Sequence, residues 1–303
     1  MKKVFILITL LFSTTLSGCN DDSKMDSEPQ TTNHPQQQQL EQNKALVKTF
    51  YEGVFVAKKV KEFSDRYISE NYIQHNPYLP DGRQAFVDFF EKELADHPDA
   101  AYSIERIIAE DDLVLLHVRS KLNTEVATNA GVDLFRIANG VIVEHWDTNQ
   151  DVPENERTAA NPEIMFNGNK NHATSPAHTS ENKALVTTFV KGAFEQHKVR
   201  EFSERYLADH YIQHNPWIEN GREPFISFFE QLFQADPAAK YEIKRVIAHL
   251  PNFESDTDTF VATYHLNHQN DFIDATFTAP KNQRDHLKEI PVNIELISYI
   301  TKS

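Results

Sequence analysis

The sequence predicts an α+β protein built twice over in tandem, and three observations carry that reading. Apolar residues at the start of each half fall on a helical period of about 3.6 residues. After Pro98 the period changes to two and runs into a hairpin centred on Asn139-Gly140. A long block of sequence then returns at a fixed offset of 139 residues. Helices first and strands afterwards make a layered α+β arrangement rather than an alternating βαβ one.

The first helix follows from Leu46, Val47, Phe50, Tyr51 and Val54, which form one apolar stripe. Val60, Phe63 and Tyr67 make a second short helix. Asp81 is the expected N-cap of a third, whose buried face holds Phe86, Phe89 or Phe90, and Leu94. Strand alternation begins at Tyr102, Leu113 to Val118 is a nearly continuous apolar strand, and Val132 to Thr148 folds back on itself at Asn139-Gly140. The segment between the second and third helices, Gln74-His75-Asn76-Pro77, is expected as a loop. From 43 to 109 the chain aligns without a gap onto 182 to 248, with 35 of 67 positions identical. Identity that high over that length means duplication. After Ile247-Ala248 the copies diverge, and the second has no Asn-Gly hairpin and no His-Trp-Asp. Its sheet is therefore expected to be divergent or incomplete, through a frameshift near residue 270 or through ordinary divergence.

Composition narrows the function classes. The chain has 303 residues, with 30 Lys and Arg against 45 Asp and Glu, a formal charge of −15. So acidic a surface repels phosphate backbones, and no nucleic-acid partner is expected. Only 8 glycines occur and no glycine-rich phosphate loop is present, so nucleotide chemistry has no support. The single cysteine excludes intramolecular disulfides and cysteine zinc sites.

That cysteine belongs to the start of the chain. Met1-Lys2-Lys3, the apolar run Val4 to Phe12 and the small residues before Cys19 read as a secretory signal over 1–18. Leu16-Ser17-Gly18-Cys19 resembles the lipobox of bacterial lipoproteins. The resemblance implies acylation of Cys19 and a lipid-anchored place in the cell envelope, with the periplasmic face of the outer membrane favoured by Asn20. Residues 19–40, ending in Gln36 to Gln39, read as a flexible tether. The expected organisation continues with a first domain over 41–154, a linker over 155–181 and a second domain over 182–303.

The helix–helix–(Gln74-His75-Asn76-Pro77)–helix–meander order ends in Glu144-His145-Trp146-Asp147. This pattern resembles the SnoaL-like polyketide cyclases of the nuclear transport factor 2-like superfamily. The resemblance covers nearly all of 41–166 and only the first half of the second copy. It implies two tandem cone-shaped α+β barrels, each with three helices packed on a curved antiparallel sheet around an apolar pocket. It also implies no cofactor and, where activity exists, acid–base chemistry on carbonyl compounds.

Candidate site residues come from the hairpin and the loop. If Asn139-Gly140 is a two-residue turn, Val143 faces Arg136, His145 faces Leu134 and Asp147 faces Val132, all on one aliphatic face. A His/Asp pair at the end of such a face suits proton transfer, because burial raises carboxylate basicity. A bulge would swap the faces and bring Asp133 and Trp146 inward. Asp147 also looks like the family's catalytic aspartate. It is expected as the base, with His145 orienting or relaying the proton and His75 or Asn76 donating to an enolate oxygen. Arg136, Asp133, Trp146 and His117 are expected to line the pocket, although a lone histidine among aliphatics, as His117 is, is more often a hydrogen-bonded core residue than a ligand. No HxH or HExxH spacing supports a metal site from His75, His117, His145 and Asp147, and no metal is expected.

The sequence therefore points to an envelope protein whose first domain performs cofactor-free proton transfer or aldol closure on a small apolar carbonyl compound. The rival is a non-catalytic module that binds a hydrophobic ligand or an envelope protein. The lipid anchor is its only expected membrane contact, and the two copies are expected to pair within one chain as a pseudo-dimer.

Overall fold

The computed structural model describes residues 35–122, 129–153, 165–166, 176–248, 257–266, 272–280 and 297–298. The expected signal, Cys19, most of the tether and linker, and the divergence point near 270 lie outside these residues. Helix α1, Pro35–Tyr51, takes in the Gln36–Gln39 tract that composition placed in the tether. Leu40 explains the difference, because it is buried in the core and anchors the glutamine turns. The helix runs on into a π-helical turn, Glu52–Val56, and α2 follows over Val60–Tyr67. Gly53 lies on that turn because α2 crosses it closely: a Cβ there would sit 2.0 Å from the Phe63 ring.

The next segment is a strand, β1, Ile68–Gln74, which the sequence did not indicate. The expected loop begins at its end, with Gln74 in the strand and His75-Asn76-Pro77 beyond it. Only Ile68 and Tyr72 of the strand's side chains are buried, and the polar residues around them conceal the β pattern. Helix α3, Arg83–Asp96, begins at Gly82 in a left-handed conformation (φ 98°). Asp81 is not its cap; its carboxylate accepts the Gln74 N–H instead, at 2.7 Å. Four strands follow: β2 Ala101–Glu110, β3 Leu113–Lys121, β4 Asn129–Ala138 and β5 Val141–Asp151. The sheet order is β1-β5-β4-β3-β2, with β1 parallel to β5 and the remaining pairs antiparallel. The sheet is therefore mixed rather than wholly antiparallel.

Asn139 and Gly140 both have positive φ (52° and 76°), as a tight twisted hairpin turn requires. Ala138 pairs Val141 and Ile137 pairs Ile142, but Arg136 then pairs Glu144, so Val143 is an extra residue. This bulge fixes which side chains share a face. Phe135, Ile137 and Ile142 pack toward α1 and α3 with Phe50, Val54 and Phe86. Leu134 and Trp146 lie on the outer face with Ile108, Leu115 and Val132.

The second half repeats the order of elements: α4 Pro176–Val190, a π-helical turn Lys191–Glu195, α5 Val199–Tyr206, α6 Arg222–Ala235 and β6 Tyr241–Ala248. Gly192 stands to Phe202 as Gly53 does to Phe63, with a Cβ 2.1 Å from the ring. Residues 207–213, which correspond to β1, form no strand. In the first half that strand is held by β5, and the second half has no His-Trp-Asp strand to hold it. Strands β7 Thr257–Leu266, β8 Phe272–Pro280 and β9 Ile297–Ser298 continue a sheet of order β6-β7-β8-β9. Strand β8 lies where the sequence shows no recognisable partner for β7.

The two halves touch across the outer face of the first sheet. Ile247 of β6 joins Ile108, Leu134 and Trp146, together with Met165 and Phe166. Both oxygens of Glu110 accept from Lys183 Nζ at 2.7 Å, and one also accepts the Ala248 N–H at 3.0 Å. The Arg245 guanidinium lies 3.8 Å from the centre of the Trp146 ring. No helix among the described residues is long and apolar enough to cross a membrane.

Candidate functional site

Strand β5 is the spine of the site. The bulge at Val143 places Phe135 opposite His145 and Asp133 opposite Asp147. Directly paired residues in an antiparallel ladder point to the same face, so all four project toward the helices. The ligating atoms of Asp133, His145 and Asp147 lie within 4.8 Å of one another. On the other side of β5, β1 brings Gln74 beside His145.

Hydrogen bonds define the protonation of the imidazole. His145 Nε2 lies 3.1 Å from Asp133 Oδ1, and Nδ1 lies 3.0 Å from Gln74 Oε1. The same Gln74 oxygen accepts the Asn76 N–H at 3.0 Å, which fixes it as an acceptor. Both ring nitrogens therefore donate, and His145 is an imidazolium. Burial pulls its pKa down, but the Asp133 hydrogen bond and the charges of Asp147 and Asp133 outweigh it, and the net shift is upward.

Asp147 is held differently. Asn76 Nδ2 lies 2.9 Å from each of its oxygens, while Asn76 Oδ1 accepts the Tyr78 N–H at 2.9 Å. Burial raises the Asp147 pKa and the neighbouring Asp133 adds to it. The His145 charge and the Asn76 hydrogen bond offset part of that, and the carboxyl remains above its ordinary value. Tyr72, stacked over His145, is held well above the usual phenol range by burial and by the same two aspartates, so it stays neutral.

These groups open into a chamber of about 400 Å³ between the sheet and the helices. Phe50, Phe55, Phe86, Phe90, Tyr102 and Phe135 supply aromatic wall, and Asp133, His145, Asp147 and Asn149 the polar floor. Tyr78, 86% exposed, stands at the rim with Leu79 and Phe89.

The structure brings together only part of the expected set. Asp147, His145, Asp133 and Asn76 meet in the chamber, although His145 bonds to Asp133 rather than to Asp147. Asn76 turns its amide nitrogen to Asp147, where one N–H is shared between the two carboxylate oxygens. His75 is turned away: its ring stacks on Trp146 at 4.6 Å and its Nε2 lies 2.7 Å from Glu144. Trp146 and Arg136 are not pocket residues either. The bulge leaves both on the outer face, where Arg136 donates to Glu144 and Asp112 at 2.7 Å each. His117 pairs Val132 on that same face, stacks on Phe166, and accepts from Arg106 at 2.7 Å. It is the hydrogen-bonded core histidine of the two alternatives. The four-residue set His75, His117, His145 and Asp147 is not assembled. Asp133, His145 and Asp147 are the donors a metal ion would find here, but the imidazole nitrogen facing Asp133 is committed to that carboxylate. Sequence reasoning missed Gln74, whose signal was its place at the end of an unrecognised strand.

Comparison with known proteins agrees with the resemblance read from the sequence. Residues 47–145 match the SnoaL-like domain family, so the first half carries a SnoaL-like domain. No curated protein sequence matches the chain. Among solved structures, a candidate polyketide cyclase from Acidithiobacillus ferrooxidans is 17% identical, with 36% of this chain and 87% of that chain covered, at a TM-score of 0.32. An NTF2-like protein of unknown function from Cytophaga hutchinsonii is 17% identical over 36% of this chain and 89% of that chain, at 0.30. A candidate ketosteroid isomerase from Kribbella flavida is 19% identical over 43% and 91%, at 0.33.

Proposed function

We propose that the SnoaL-like domain is a ligand chamber in which Asp147 acts as a general base. Its substrate would be a small apolar compound with an acidified C–H, of the carbonyl class. The observation that carries this reading is the setting of Asp147. Its carboxylate faces an aromatic-walled chamber, is positioned by Asn76 through both oxygens, and has its basicity raised by burial. His145, an imidazolium between Asp133 and Gln74, fixes the charge of the floor and is a positioning group. The test begins with mass-spectrometric identification of the ligand carried by protein purified from its native envelope. With that compound, Asp147→Asn should lose about a hundred- to ten-thousand-fold in turnover while staying folded. Equal turnover by the two proteins would sink the mechanism.

One observation favours a second reading, binding without catalysis. Both imidazole N–H groups are already committed, to Gln74 and Asp133, so neither is free to hold a developing enolate oxygen. Under that reading Asp147→Asn changes affinity, and neither protein turns anything over.

The proposed setting is the cell envelope, with Cys19 as the acylated anchor; Cys19→Ser should then no longer survive a carbonate wash with the membrane fraction. The second half is proposed as a non-catalytic copy that covers the outer face of the first sheet, in the manner of a second subunit. Ile247, Arg245 and the Glu110 contacts support that arrangement. Light scattering should find a monomer, and an obligate dimer of whole chains would argue for another arrangement.

A further inference from the structure

The two faces of the first sheet differ in charge balance: arginines and carboxylates are paired on the outer face, whereas carboxylates predominate on the inner one. The sheet's three arginines, Arg106, Arg119 and Arg136, all project from the outer face, where His117, Glu105, Asp112 and Glu144 meet them. The inner face carries Asp133, His145 and Asp147, with Asp151 and Glu93 also lining the chamber. Among the described residues, no lysine or arginine lines it. One imidazolium therefore faces an excess of carboxylate, in a space otherwise walled by aromatic rings. Ring faces are the negative part of the aromatic quadrupole. Ring faces and carboxylates thus want the same thing. An anionic ligand is repelled, and a neutral one leaves the carboxylate charge uncompensated. A cation with apolar substituents satisfies both.

We propose that the chamber takes a small lipophilic nitrogen cation, an iminium or a tertiary or quaternary ammonium. Its charge sits at Asp133 and Asp147, and its carbon groups lie against the aromatic wall. This rests on the reading of the chamber as a ligand site and specifies the ligand. It also removes the need for an enolate donor, a role for which neither imidazole N–H of His145 is free. When Asp147 takes a proton from the carbon next to an iminium, the C–H electron pair forms the new C=C bond. The C=N π pair withdraws onto nitrogen, leaving a neutral enamine and a neutral carboxylic acid. No oxyanion forms.

Three probes of equal chain length test the proposal by calorimetric titration of the whole chain: hexyltrimethylammonium, hexan-1-ol and hexanoate. The cation should bind about tenfold more tightly than the alcohol, or better, and hexanoate should bind weakest. Asp133→Asn and Asp147→Asn should each reduce the preference for the cation over the alcohol. Glu105→Gln on the outer face changes the net charge equally and should preserve it. Near-UV circular dichroism shows whether each variant has kept its packing. Equal affinity for cation and alcohol, or tightest binding of hexanoate, overturns the cation assignment and leaves the ligand chamber standing. A preference that survives both asparagine variants also overturns it, by placing the charge recognition elsewhere. Absence of binding by all three probes overturns the chamber itself, and the proposed function with it.

Discussion

Asp147 and His145 each hold a proton more tightly in the folded chain than in the unfolded one, for opposite net reasons. Burial disfavours the Asp147 anion, whereas the Asp133 hydrogen bond and two carboxylate charges favour the His145 cation against burial. Both shifts are upward, so both make stability fall as pH rises, in different windows. For His145 the stabilisation is complete below about pH 6.5 and is lost as pH climbs through the raised folded value. The urea midpoint should therefore decline as pH rises above about 6.5, and His145→Gln should flatten that part of the curve. A variant with the wild-type slope would mean that the imidazole is not held as a cation. Asp147→Asn removes an anion that burial disfavours, and should be at least as stable as wild type at about pH 7. At this scale Asp147, His145 and Asn76 were legible as residues of the chamber. Their partnerships were not, because the hydrogen bonds depend on Gln74 and Asp133, which reach the chamber only through a parallel strand and a bulge.

Elements decide which residues reach the chamber. The hairpin turn was plain from Asn139-Gly140, yet the extra residue at Val143 has no sequence signature, since a valine suits a bulge and a regular strand alike. That single residue turns Arg136 outward and Asp133 into the chamber. It does not bring Trp146 inward, since Trp146 alternates with His145 on β5 in either case. A bond to Glu144 holds His75 outside. Strand β1 was hidden for a related reason. Its pairing comes from β5, far along the chain, and its own residues alternate too weakly to announce it. The helices were legible because their stripes are local. Their close crossing is legible too, once Gly53 is seen against Phe63. Gly53→Ala should cost about 1–3 kcal/mol in chemical denaturation, because the ring must leave its place beside the turn. Gly192→Ala should act in the same way through Phe202. A neutral Gly53→Ala would show that α2 is not packed as tightly on the turn as this geometry requires.

For the whole molecule, the outer face of the first sheet is a second apolar layer that the second half helps to cover. Glu110 is its polar fastening, accepting from Lys183 and from the Ala248 amide. Glu110→Ala should lower stability by about 1–3 kcal/mol, because it leaves a partly buried ammonium and amide without their acceptor. An unchanged denaturation midpoint would count against this fastening. The repeat is plain in the sequence, but it did not show which strand of the second half would reach Trp146. Sheet register, bulge, helical roof and the covering of the outer face all converge on the environment of one carboxylate. The most direct measurement is therefore the titration of Asp147, followed by carboxyl carbon NMR and assigned by the signal lost in Asp147→Asn. The account predicts a midpoint above the ordinary aspartate value of about 3.9. A midpoint at or below that value would mean a solvated or strongly paired carboxylate, and would contradict the buried base at the centre of the chamber.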